Sequence, residues 1–157
     1  MPAEGGDAIQ LTTDGGHESF ESPDGKLLYY EDYGVKGLRS IPVENYSGPR
    51  EGSLVLGLVQ PGYWAVTQKG IYFVEFDDKH APSHSLVGVF SATRGGSLSQ
   101  QIKLYDFRTH KVTQIGTIEK EVPRPQCGFS VTWDSRFIAW SQVDQDESDL
   151  MMIENFR

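Results

Sequence analysis

Three times along this chain a short run of residues reaches a turn and leaves it through a strand dense in aromatic and aliphatic side chains. The exits are Leu27-Leu28-Tyr29-Tyr30, Ile71-Tyr72-Phe73-Val74 and Phe137-Ile138-Ala139-Trp140. The turns before them are Pro23-Asp24-Gly25, Gln68-Lys69-Gly70 and Asp134-Ser135. Asp-Gly between two such runs is a strong hairpin signal, because the turn needs a positive φ that glycine adopts at no steric cost. Apolar residues at helical spacing are almost absent; short alternating or apolar runs recur instead between turn residues. The 17 glycines and 8 prolines fit an all-β chain of short strands and many turns.

The strands expected from this pattern begin with residues 8–13 and continue with 19–22, 26–31, 38–43 and 53–59 in the first copy. The second copy has 64–67, 71–76, 101–108 and 112–118, and the third has 130–133, 136–141 and 150–156. Asp24 and Asp134 open equivalent turns two copies apart, so the mean repeat is about 55 residues, a little above the roughly 40–50 of propeller blades. The long polar stretch 77–99 accounts for the excess. Four-stranded units at this period point to a β-propeller, because each small sheet buries its faces only against neighbouring sheets. The blades are expected at 14–60, 61–120 and 121–157, the last completed by strand 8–13. An ordinary antiparallel sandwich is the alternative architecture.

The segment Phe20-Glu21-Ser22-Pro23-Asp24-Gly25-Lys26-Leu27-Leu28-Tyr29-Tyr30 resembles the Ser-Pro-Asp-Gly core of TolB-like, WD-repeat-like propeller blades. Residues 8–16 are similar to the outer strand preceding such a core. Residues 133–144 and 148–157 resemble the final blade of propellers attached to bacterial winged-helix regulators. The likeness implies a propeller fold and a binding or sensing role. The second copy departs from it, with Thr67-Gln68-Lys69-Gly70 in place of Ser-Pro-Asp-Gly, as does the third, with Thr132-Trp133-Asp134-Ser135. The opening residues 1–6 resemble a join inside a blade, so the chain is expected to be the terminal part of a longer polypeptide. In such relatives the winged helix lies upstream, so DNA binding does not carry over to this segment.

Charge agrees. There are 14 Lys and Arg against 22 Asp and Glu, a net charge of −8, and the basic residues are scattered. A nucleic-acid surface needs them clustered. Cys127 is the single cysteine, so no intrachain disulfide forms. No apolar run is long enough for a membrane-spanning helix, and residues 1–7 lack the basic and apolar regions of a signal peptide.

No catalytic constellation emerges. Gly96-Ser97-Leu98-Ser99 lacks the last glycine of a nucleophile elbow. His80 and His84 are spaced for a metal on a helix, but Pro82 lies between them, and with His17 and His110 they read as loop histidines. The acidic run 144–149 offers Asp144, Asp146, Ser148 and Asp149 to a hard cation, yet lacks the glycine and distal glutamate of a calcium-binding hand. It reads as a solvated hairpin loop, and neither metal nor cofactor is expected. Tyr33, Tyr46, Tyr63 and Trp64 fall in or near loops and are the candidates for a ligand face by stacking, with packing between blades as the competing role. The expectation is a non-catalytic scaffold for a protein, peptide or small ligand. The alternatives are an accessory propeller of a peptidase-type hydrolase and a truncated fragment of a propeller regulator. Three blades fall short of the four to eight of a closed ring. A homodimer is therefore expected, in which strand 8–13 completes the partner's last blade beside 150–156.

Overall fold

In the computed structural model, residues 5–31, 37–44, 47–75, 100–120, 122 and 128–142 are described. They form ten strands in three antiparallel sheets, with no helix among them. The first sheet is a meander of β1 (Ser19–Glu21), β2 (Leu27–Glu31), β3 (Leu38–Pro42) and β4 (Ser53–Leu56). The second is a meander of β5 (Val59–Val66), β6 (Gly70–Glu75), β7 (Gln100–Asp106) and β8 (Lys111–Ile118). The third is the hairpin β9 (Phe129–Val131) with β10 (Ile138–Trp140). Strand 150–156 lies outside the described residues.

The first and third turns use the same chemistry. Ser22 donates its hydroxyl to Asp24 at 2.6 Å, and its Oγ accepts the amides of Lys26 and Leu27 at 3.1 and 2.9 Å. Thr132 donates to Asp134 at 2.6 Å and accepts from Arg136 and Phe137 at 3.2 and 3.1 Å. The fourth residue takes positive φ in both, 71° at Gly25 and 58° at Ser135. The hydroxyl of Ser22 and that of Thr132 hold the carboxyls of Asp24 and Asp134 below the usual carboxylate range, with help from the next amide. The second turn is not an eroded copy of this motif. Thr67 N–H bonds Gly70 O at 3.0 Å, so only Gln68 and Lys69 lie in the loop, two residues fewer than between Ser22 and Leu27. A shorter loop has no place for the Ser-Pro-Asp-Gly arrangement.

The second sheet lies in the middle. One of its faces joins the first sheet in a cluster of Tyr29, Leu38, Leu56, Val59, Trp64, Ile71 and Phe73. Phe20 meets Trp64 edge-on at 4.7 Å, and Tyr29 stacks on Phe107 at 5.7 Å. The opposite face carries Tyr63, Val74, Ile102 and Ile118, packed with Phe129 and Ile138 of the third sheet. Burial on both faces explains why β6 is buried along almost its whole length, while β8, the last strand outward, is mostly exposed. The sheets approach one another along their first strands, with β5 beside β1 on one side and β9 on the other.

Residues 8–13 do not form the expected strand. Thr12 makes one parallel bridge to Arg50, with Thr13 N–H donating to Arg50 O at 3.3 Å and Arg50 N–H to Leu11 O at 3.2 Å. The segment is tied down by a side chain instead. Tyr30 donates its hydroxyl to Asp14 at 2.9 Å and accepts the amide of Gly52 at 2.9 Å. Burial and the Asp14 bond push the Tyr30 phenol up to about 12. Leu11 and Thr13 thus pair with Arg50 of their own chain along one side of the segment.

Candidate functional site

The three sheets meet at Gly62. β5 bulges between Val59 and Trp64, and Gly62 sits there with a φ of 74°, a conformation that a side chain strains. Its amide is therefore free of the β5–β6 ladder and donates to Glu31 Oε2 in the first sheet at 3.1 Å. Its carbonyl accepts the amide of Gly128, just before β9, at 3.3 Å. Beside it, the Trp64 indole N–H donates to the same Glu31 oxygen at 3.2 Å. Tyr63 bonds the Ser141 hydroxyl at 2.8 Å, just past β10. Lower down, Ser135 donates to the Thr67 hydroxyl at 3.2 Å, which joins the second and third turns.

Glu31 is only 5% exposed. Burial, opposed by the Gly62 and Trp64 bonds, raises its carboxyl above the usual range. Glu18 is raised too, by burial and then by the charge of Glu31.

Tyr63 and Trp64 are both fully buried. Their rings pack on Phe129 and Phe20, so they join sheets and present no face to a ligand. Tyr33 and Tyr46 lie outside the described residues, as do Cys127, His80, His84, Ser97 and the run 144–149. Among the described residues no three His, Cys, Asp or Glu side chains group as metal ligands, and no helix is long and apolar enough to cross a membrane.

Exposed aromatic surface gathers instead on the third hairpin. Trp133 and Phe137, flanking its turn, are each 62% exposed, and Trp140 is 41% exposed. Arg136 lies 5.5 Å from the Phe137 ring centre. An open depression of about 350 Å³ is lined by Gly128, Phe129, Ser130, Ala139 and Trp140. Across this hairpin Phe129 pairs with Trp140 and Ser130 with Ala139. Sequence reasoning singled out loop aromatics and passed over these. The available signal was that Trp133 occupies the turn position held by Pro23 in the first copy, where a large apolar side chain has no packing role.

Compared with known proteins, the chain matches no family model, no curated protein and no solved structure.

Proposed function

We propose that this chain is a run of β-propeller-type blades serving as a non-catalytic binding scaffold. The observation carrying the reading is the second sheet, covered on both faces by neighbours that approach along their first strands. A two-layer sandwich leaves one face of each sheet to solvent or loops, whereas radial stacking covers both. Successive strands of each sheet are also hydrogen-bonded neighbours, as in a blade. The repeated hydroxyl–aspartate turn in the first and third sheets supports a repeat origin.

The binding role follows from where apolar surface remains. The third hairpin exposes Trp133 and Phe137 at its turn, and Trp140 at the open depression near its other end. Large rigid aromatics with a polar neighbour such as Arg136 suit stacking on a peptide or small ligand. Among the described residues one hydroxyl meets a basic ring nitrogen, Tyr105 with His110 Nδ1 at 2.9 Å, and this pair lies exposed beside the β7–β8 turn. The purified chain is accordingly expected to turn over none of a panel of ester, peptide and phosphate substrates. Turnover that follows the folded protein through gel filtration, and disappears on a single substitution, contradicts the reading.

A further inference from the structure

Glu31 makes a connection unlike the others between the sheets, because it is ionisable and buried. It closes β2, and through Oε2 it takes two donors from β5: the Gly62 amide and the Trp64 indole. Glu18 stands immediately across the ladder, where the Glu31 amide donates to the Glu18 carbonyl at 3.2 Å. Glu18 Oε2 is buried and has no hydrogen-bond partner. Two carboxylates thus stand at facing positions by the seam between the first and second sheets, and both seam donors, Gly62 and Trp64, go to Glu31.

The charged surroundings do little to offset this. From the segment before β1, His17 faces Glu31 and Glu18 adds negative charge; from β5 come only the neutral amide and indole. A carboxylate pair of which one oxygen is buried without a donor is satisfied best by keeping one proton, which turns one oxygen from acceptor to donor.

We propose that Glu18 and Glu31 form a proton-held latch between the first and second sheets, closed while the pair retains a proton and eased when it is lost. Both carboxyls lie above their usual range, so the folded state binds this proton more tightly than the unfolded one. The latch's contribution is therefore complete below the ordinary glutamate pKa and fades as pH rises through the raised value. Asp24, Asp106 and Asp134, all held low, have the opposite sign and act only in more acid solution.

The test is the indole N–H resonance of Trp64, assigned by triple-resonance NMR and followed between about pH 4.5 and about pH 7.5 alongside chemical denaturation. In the unaltered chain it is expected to move with a single titration above the usual glutamate range, while stability falls. In Glu31→Gln the amide oxygen still accepts from Gly62 and Trp64, and the amide hydrogens replace the proton toward Glu18. That variant is expected to lose the resonance shift and to be the more stable chain at the upper pH. Glu18→Gln, at a half-buried position, is expected to bring the remaining titration down toward the usual range. A Trp64 indole that does not titrate in the unaltered chain overturns the latch, and so does one that titrates identically in both variants.

Discussion

Trp64→Ala is expected to cost about 4 kcal/mol, a large part of the roughly 5–15 kcal/mol that holds an ordinary domain folded. Three losses combine. The side chain is fully buried in the seam between the first and second sheets, so its removal opens a cavity where Phe20 meets it edge-on at 4.7 Å. The aromatic pair itself adds a further contribution beyond area. The indole also supplies one of the two donors to Glu31, and a buried carboxylate deprived of a donor is expensive. Trp64→Phe keeps most of the packing and removes only the donor, so it is expected to fall well short of the alanine cost. Equilibrium unfolding in urea, read by circular dichroism, measures both. A Trp64→Ala midpoint within error of the unaltered chain shows that the seam is not where the sheets are held.

Gly70→Ala is expected to cost about 3 kcal/mol or more, the upper end of what forced overpacking does. Gly70 opens β6 and pairs with Asp106 at the end of β7. A Cβ there falls on the carbonyl of Tyr105, which is backbone and cannot rotate away. The β6–β7 ladder must spread, in the one sheet that both neighbours pack against. Gly57, between β4 and β5, is the control. A Cβ at Gly57 meets nothing within 4 Å, and Gly57→Ala is expected to change stability little. Thermal unfolding of the two variants side by side gives the comparison; equal melting temperatures contradict the close approach at Gly70.

The hairpins were legible because their signals are local. Alternation and Asp-Gly put β1 and β2 within a residue of their expected bounds, and the aromatic runs marked β2, β6 and β10. The seam was not legible. Pro61-Gly62 reads as punctuation, so only the end of β5 was expected and Tyr63 and Trp64 were placed near a loop. In the fold β5 runs from Val59 to Val66. It is an edge strand of its sheet, and Pro61 falls in the break of the β5–β6 register between Val59 and Trp64, where Gly62 supplies the bulge. Which residues face a neighbouring sheet depends on that bulge, because one extra residue reverses every later side chain. Residues 8–13 misled for the reverse reason. Their alternation suits a strand, but only Thr12 finds a bridging partner, and Asp14 anchors the segment through Tyr30. Of the expected ligand-face residues, Tyr63 and Trp64 proved to be seam residues. The exposed aromatics of the third hairpin were visible as letters but not as surface.

The placement of the second sheet between two others is tested most directly by nuclear Overhauser effects from two adjacent residues of β5. Side chains of adjacent strand residues point to opposite faces, so Tyr63 and Trp64 report the two sides of the sheet separately. The fold predicts contacts from the Trp64 ring to Phe20 of the first sheet, and from the Tyr63 ring to Phe129 of the third, within one folded sample. A Tyr63 ring that contacts no residue of β9 or β10 contradicts the stacked arrangement and the propeller reading that rests on it.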